Sequence, residues 1–330
     1  MMTASASAPG KIVICGEYAV LDGAPAVAMA VDRRAEATVT ISGDDWHSVS
    51  APGYTSERGR FTANQGRVAW LDGRETFGLV EQVWRLAGLD PSEKLALRLD
   101  SAAFYDASGG RKIGIGSSAA VAVALTAALA ETTGADLDVD AIAMEAHRRF
   151  QGGAGSGVDV ACSAHGGVIE YRMEKAQQRR LQWPPELGFA VFWSGVPAST
   201  GSRLDHLRAA ATKPSRQALV TAAGRVATTW ARGSAKAIVE ELRAYTEALR
   251  RFSIDHDLGI FDAGHAALAD AAKGKVVYKP CGAGGGDIGI ALASDERELA
   301  AFIELAVTKA FQHLQMTMDP RGVQRVREAN

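Results

Sequence analysis

Three glycine-rich stretches, KIGIGSSAAVAVAL (112–125), QGGAGSGVDVA (151–161) and KPCGAGGGDIGIAL (279–292), lie far apart in the chain. Glycines this dense cost backbone entropy, so they are kept where the chain turns tightly or where another backbone or a ligand comes close. The first stretch runs from a glycine turn straight into the apolar segment Ala119–Ala130, which reads as a buried helix. A helix entered through Gly114, Gly116, Ser117 and Ser118 offers unpaired backbone N–H groups and the positive end of its dipole. Such an end cradles phosphate. Three such loops, two of them carrying an aspartate (Asp159 and Asp287), predict a phosphoryl-transfer site gathered from distant parts of one chain.

At 330 residues the chain is too long for one ordinary core, so two domains are expected. The polar stretch MEKAQQRRLQWPPE (173–186) is the natural seam, giving units of residues 1–180 and 181–330. Apolar residues make up 47% and charged residues 22%, as in a soluble globular protein. Net charge is -2 without a long run of one sign, which argues against a nucleic-acid or anionic-membrane partner. The longest apolar run, Ala119–Ala130, falls short of the roughly 20 residues a membrane span needs. The opening MMTASASAPGKIVICGEYAV lacks the charged start and long apolar core of a secretory leader. Cys15, Cys162 and Cys281 form neither a disulfide framework nor a metal-ligand pattern, and read as small buried thiols in a reducing compartment. A cytoplasmic protein is expected, monomer or homodimer, working on a small molecule.

Residues 11–15 and 25–32 read as short buried strands and 35–42 as a half-exposed one. Residues 43–66 are polar and read as loops or a hairpin excursion. Helical spacing returns over Thr76–Ala87, and 95–100 reads as strand. Further on, a helix is expected over about 138–150, strands at 166–172 and 188–193, and helices over about 203–250 and 258–272. Strands at 275–279 and after Asp287, a helix over 295–311 and a last short strand near 314–318 complete the reading. Mixed elements without strict βαβ alternation place the chain in the α+β class.

Gly114-x-Gly116-Ser117-Ser118 lacks the Gly-Lys-Ser/Thr ending of a Walker loop and is not G-x-G-x-x-G. One serine is enough to cap a helix; a second hydroxyl can meet a metal beside phosphates. Asp159 sits among Val158, Val160 and Ala161, where an isolated carboxylate needs a cation or hydrogen-bond donors. It either pins its loop or faces the reacting group. Lys11, in A-P-G-K, would be aimed inward by a Pro-Gly turn and the strand that follows. Asp287 is either a turn residue bonding its own backbone or part of the site. Arg111, Lys112, Arg148, Arg149 and Lys279 adjoin the loops and are the cations placed to meet phosphorylated molecules.

Taken in order, A-P-G-K-I-V-I-C-G-E-Y-A-V, G-I-G-S-S-A-A-V and C-G-A-G-G-G-D resemble the three motifs of the GHMP small-molecule kinases. Within that family H-R-R-F-Q-G-G-A-G-S-G-V-D-V-A (147–161), W-S-G-V-P-A-S-T (193–200) and K-P-C-G-A-G-G-G-D (279–287) resemble the phosphomevalonate-kinase branch. The resemblance covers nearly the whole chain. It implies a two-domain α+β fold, with an N-terminal domain like domain 2 of ribosomal protein S5, a ferredoxin-like C-terminal domain and the site in the cleft. It implies ATP and Mg²⁺ as cofactors, with Gly114, Ile115, Gly116, Ser117, Ser118, Ala119 and Ala120 around the ATP phosphates. Ser118 and Asp159 would be the metal ligands, and Lys11 and Asp159 would stand at the transferred phosphoryl group. Lys112, Arg148, Gly155, Ser156, Gly157, Ser199, Thr200, Gly284, Gly285 and Asp287 would face the acceptor or the phosphates.

The implied reaction is ATP-dependent phosphorylation of mevalonate 5-phosphate to the diphosphate. An alcohol kinase for mevalonate or homoserine is the first alternative; mevalonate diphosphate decarboxylase, a lyase on the same fold, is the second. Two departures stand out. The glutamate that mevalonate kinases carry as a second metal ligand on the helix before the catalytic loop is missing, with Glu145 and His147 nearest. Cys281 stands where phosphomevalonate kinases commonly show serine.

Overall fold

The computed structural model describes residues 2–106, 110–153, 155–198, 207 and 213–328. Its first strand, β1 (Thr3–Cys15), starts well before the expected 11–15 run. Residues 3–8 alternate hydroxyl residues with alanine: Ala4, Ala6 and Ala8 face the core. Thr3 and Ser5 meet Thr40 and Thr38 on the other face at 3.2 and 3.1 Å. The period of two is present, but alanine is too weakly apolar to make it legible. Pro9-Gly10 is not a turn. The register between β1 and β2 (Ala26–Ser42) shifts there, so Lys11 stays on the same strand just past a bulge. β2 is continuous where two strands were expected, because Arg34 in its middle is satisfied internally. Its guanidinium donates to the Ser7 and Gly322 carbonyls at 2.9 and 2.7 Å and pairs with Asp319 at 2.5 Å.

The excursion expected over 43–66 holds a short strand, β3 (His47–Ser50), and the first arm of a hairpin, β4 (Arg58–Asn64), whose second arm, β5 (Arg67–Asp72), lies just beyond it. Then come α1 (Gly78–Ala87), β6 (Lys94–Asp100), α2 (Ser117–Thr133), α3 (Val139–Phe150), α4 (Val158–His165), β7 (Val168–Arg172) and β8 (Gln177–Leu181). With the final strand, β13 (Gln324–Glu328), these strands form one sheet of order β13-β1-β2-β6-β3-β4-β5, and β7 and β8 join on the N-terminal half of β2. α2 and α4 pack on β1 and β2. Ala119, Ala120, Ala122, Ala124, Ala127 and Ala128 of α2 are fully buried, and their methyl groups let the helix lie close to the sheet. That closeness is what sets the N-terminus of α2 beside Lys11.

The second sheet is antiparallel, built from β9 (Gly188–Trp193), β10 (Val276–Pro280), β11 (Ile288–Ala293) and β12 (Gln312–Leu314) in the order β10-β11-β9-β12. Helices α5 (Pro214–Trp230), α6 (Ala235–Asp255), α7 (His265–Ala271) and α8 (Glu296–Thr308) accompany it. The helical stretch expected over about 203–250 divides into α5 and α6, because Ser234 caps a new start by accepting the Ala237 N–H at 3.3 Å. Residues 203–206 and 208–212 of that expectation lie outside the described residues. The helix expected over 258–272 is confined to α7. β13, short and charged, was not anticipated. It pairs with β1, so the end of the chain belongs to the first sheet. We keep the division at 180/181 as a proposal, with that strand as its exception. Among the described residues no helix is long and apolar enough to cross a membrane.

Candidate functional site

The three glycine loops meet. The Lys11 N–H donates to the Ile115 carbonyl at 2.9 Å. A Cβ built on Gly116 would lie 3.0 Å from Lys11 Cε, so glycine there leaves room for the lysine stem and supplies the left-handed turn (φ 84°) that starts α2. The helix's own ladder begins with the Ala120 N–H donating to the Gly116 carbonyl at 3.2 Å. Ala120 therefore packs and does not offer its amide to a ligand, contrary to its expected place around the phosphates. The amides of Ser117, Ser118 and Ala119 precede that first bond and lie outside the ladder.

Asp159 lies in the first turn of α4, where the helix dipole favours a carboxylate. Its Oδ1 accepts the Val160 N–H at 3.0 Å. Its Oδ2 is 3.8 Å from Nδ1 of the buried His147, whose Nε2 is 2.9 Å from Ser118 Oγ. One imidazole thus stands between the two residues expected to hold a metal. Glu145, the other metal-ligand candidate, is turned away: Arg148 and then Arg149, each 2.7 Å from it, hold its carboxyl down at about 2. Arg148, expected at the substrate, is committed to that pair.

The third loop corrects an expectation. Cβ atoms on Gly284 and Gly286 would meet Ile260 Cγ2 and the Val196 carbonyl at 2.4 and 2.5 Å, and the Gly285 N–H donates to the Ile260 carbonyl at 2.7 Å. These glycines admit the protein's own backbone, and only Gly282 and Ala283 of this loop line the cleft. Asp287 (φ 50°) is locked in place: its N–H donates to the Val196 carbonyl at 2.7 Å, and its carbonyl accepts from Ser194 at 2.9 Å. Its Oδ1 accepts the Ala198 N–H at 3.1 Å. It bears directly on Gly114, where an added Cβ would fall 2.5 Å from Asp287 Cβ.

A buried histidine holds this loop from behind. His265 Nε2 is 3.1 Å from the Gly286 carbonyl, which can only accept, so Nε2 carries the proton and Nδ1 accepts from Tyr278 O–H at 2.7 Å. Burial lowers the ring's pKa from 6.5 to about 4. Below about 6.5 the unfolded chain takes up a proton that the folded chain refuses until about 4, so stability falls as pH drops through that window. Melting temperature measured from pH 7 to pH 4 should fall in that interval, and His265→Gln should flatten the fall. An unchanged slope in the variant would count against the assignment.

Two hollows flank the meeting point. The first, of about 770 Å³, is lined by Lys11, Glu17, Tyr18, Ser156 and Asp159, with Gly155 on its rim and Gly282 and Ala283 opposite. Gly157 is the N-cap of α4 just behind it, with its φ of 86° and no side chain to clash with Met144 and Tyr171. The second, of about 590 Å³, is largely apolar, with Tyr54, Phe77, Val80 and Phe150 beside Ser117 and Ser118. Lys112 sits in this second hollow, 5.5 Å above the Tyr54 ring, rather than in the first. Arg111 stacks on Trp193 at 4.6 Å. Among the described residues lining the first hollow, Lys11 is the only lysine or arginine. Ser199 and Thr200 lie outside the described residues. The three cysteines are free, and burial pushes Cys15 and Cys162 up to about 12 and Cys281 to about 11, which leaves no thiolate nucleophile among them.

Residues 87–167 match the model of the GHMP kinases N-terminal domain. A phosphomevalonate kinase from a Streptomyces species is 34% identical, over 88% of this chain and 89% of that protein. The chain belongs to the GHMP kinase family. A mevalonate kinase of Pyrococcus horikoshii is 29% identical over 91% of this GHMP kinase and 92% of its own length. Among solved structures, Streptococcus pneumoniae phosphomevalonate kinase in complex with phosphomevalonate and AMPPNP superposes with a TM-score of 0.80. It is 19% identical and covers 95% of this chain and 99% of that one. The two-domain α+β fold that the motifs implied is the GHMP kinase fold observed. Sequence reading passed over Glu17, Tyr18, Tyr54 and Phe150. Glu17 and Tyr18 stand six and seven places after Lys11 in the first motif, which was the available signal. Phe150 stands in the 147–161 motif, and Tyr54 had no such signal.

Proposed function

We propose that this GHMP kinase transfers the γ-phosphoryl group of ATP to the phosphate of mevalonate 5-phosphate, in the mevalonate route to isoprenoids. The observation that carries the reading is the 34% identity to a phosphomevalonate kinase across nearly the whole of both chains. The geometry supports a phosphoryl transfer: free amides of the α2 N-terminus adjoin Lys11, and Lys11 shares its cleft with Asp159. ATP phosphates would lie on the Ser117–Ala119 amides, with the nucleoside in the apolar hollow that Lys112 overlooks and the acceptor in the hollow of Lys11 and Asp159.

Mg²⁺ suits the donors present. Ser118 Oγ and Asp159 Oδ2 face one imidazole at 2.9 and 3.8 Å, and a hydroxyl plus a carboxylate beside phosphates is the oxygen set this ion takes. Ser118 and Asp159 would hold it, and bound there it would neutralise phosphate charge. Among the described residues no three His, Cys, Asp or Glu side chains converge as a complete cage.

The acceptor phosphate, with a second pKa of about 6, is largely a dianion near pH 7 and needs little help losing a proton. Bringing two polyanions together is the larger barrier, so positioning and charge neutralisation dominate. The arginines near the loops are committed elsewhere, which puts the side-chain share of that neutralisation, beside the metal's, on Lys11. Asp159 orients the reacting groups, with proton abstraction secondary. Mevalonate kinase is the second reading, on the strength of the Pyrococcus relative. ADP release measured with mevalonate 5-phosphate, mevalonate and homoserine separates them. Turnover is expected with the first alone and without CO₂; turnover with mevalonate would overturn the assignment.

A further inference from the structure

Beneath the acceptor hollow lies a charged pair that the reaction does not use. Lys279 on β10 is 1% exposed, and its ammonium meets Glu17 Oε1. The other Glu17 oxygen accepts from Tyr245 O–H on α6 at 2.7 Å, and that hydroxyl in turn accepts the Gly16 N–H at 2.9 Å. Lys279 also reaches the Val13 carbonyl at 3.4 Å. Both carboxylate oxygens of Glu17 are thereby engaged, so although Glu17 lines the hollow it is poorly placed to serve as a base or a ligand. Nor can Lys279 reach a phosphate.

The next residue supplies an independent observation. Tyr18 has φ 61° and ψ -46°, the centre of a γ-turn of the strained hand that the Ala19 N–H closes by donating to the Glu17 carbonyl at 2.6 Å, a conformation that a bulky side chain avoids. Its hydroxyl donates to the Ala283 carbonyl at 2.7 Å, across the hollow in the third loop. Strain of this kind persists only where the surroundings over-determine it. Besides that local bond, Lys279 and Tyr245 hold Glu17 on one side, and the Ala283 carbonyl accepts from the Tyr18 hydroxyl on the other.

We propose that Lys279 is a positioning residue: its pair with Glu17 keeps Tyr18 in that conformation and so sets the spacing of residues 16–18 from residues 281–283. The proposal rests on the reading above in one respect only, that this hollow receives the acceptor. The nucleotide side is held separately, by the Lys11–Ile115 bond and by Asp287 against Gly114. Loss of the pair should therefore act on the acceptor and spare the nucleotide.

Lys279→Met alone leaves Glu17 buried without its cation and should lower the melting temperature. The double variant E17Q/K279M removes both charges, keeps an acceptor for Tyr245 O–H, and should recover most of that stability. In the double variant KM for the acceptor should still rise about tenfold or more, the scale of one lost hydrogen bond to a charged group, with KM for ATP within about twofold. Amide hydrogen exchange should quicken at residues 16–18 and 281–283 and stay unchanged at 114–118. Wild-type acceptor KM and wild-type exchange in the double variant would overturn the proposal, as would parallel rises in both KM values. If the wild-type enzyme phosphorylates a different acceptor, the identity proposed above fails. The positioning role is then decided by the KM for that acceptor and by the exchange pattern, which needs no acceptor at all.

Discussion

Lys11→Met should lower turnover roughly a thousandfold, the upper range for deleting one preorganised charge from a transfer site. The substitution isolates the charge. Methionine keeps the unbranched stem that packs over Gly116, and the bond from the residue 11 N–H to the Ile115 carbonyl is a backbone bond that no side-chain change removes. Melting temperature and nucleotide affinity should stay near wild type, which calorimetry and nucleotide titration can check beside the steady-state rate. Since no other lysine or arginine among the described residues lines this hollow, nothing replaces the lost cation. Asp159→Asn should cost less, because a phosphate dianion needs no base to make it nucleophilic. Equal, near-total losses in the two variants would refute this division of labour and favour an alcohol acceptor.

Gly114→Ala should be nearly as damaging, for steric reasons. The residue has φ 92°, and its new Cβ would fall 2.5 Å from Asp287 Cβ and Cγ. Asp287 cannot retreat, since three backbone groups (Ser194, Val196 and Ala198) bond it from the facing loop. The left-handed backbone with a Cβ and the overpacking together should cost roughly 2–5 kcal/mol. Relaxation would push the phosphate loop off the end of α2. A lower melting temperature and a loss of at least about a hundredfold in kcat/KM for ATP are expected. The double variant Gly114→Ala with Asp287→Gly removes the collision and should recover part of both, a coupling that independent sites would not show. A single variant with wild-type ATP kinetics would mean that the first and third loops do not press on each other.

Much of this architecture was readable because its signals are local. A glycine before two serines and an alanine-rich run announces a helix start wherever it is folded, and that segment, in fixed order between A-P-G-K-I-V-I-C-G-E-Y-A-V and C-G-A-G-G-G-D, carried the family. What escaped reading did so for identifiable reasons. Residues 3–8 alternate, but between serine, threonine and alanine, whose contrast is too small to announce a strand. The last strand is polar and pairs with a partner at the opposite end of the chain. The three consecutive glycines 284–286 were read as room for a ligand or another backbone; Ile260 and Val196 are what come close.

The charges near the loops divide in the same way. Asp159 sits next to the glycine that starts its helix, so its place follows from neighbours in sequence, whereas Lys11 is set by the bulge in the pairing of β1 with β2 and not by the Pro-Gly turn that was expected. Lys279 was equally close to a glycine loop, yet it is spent on Glu17, 262 residues away. His147, 29 residues beyond Ser118, comes to stand between that serine and Asp159 only because α2, α3 and α4 pack together. Backbone conformation at a glycine-led helix start depends on a few adjacent residues, and the chain alone determined it. Which cation meets which anion depends on burial and on partners brought in from afar, and only the packed molecule decided that.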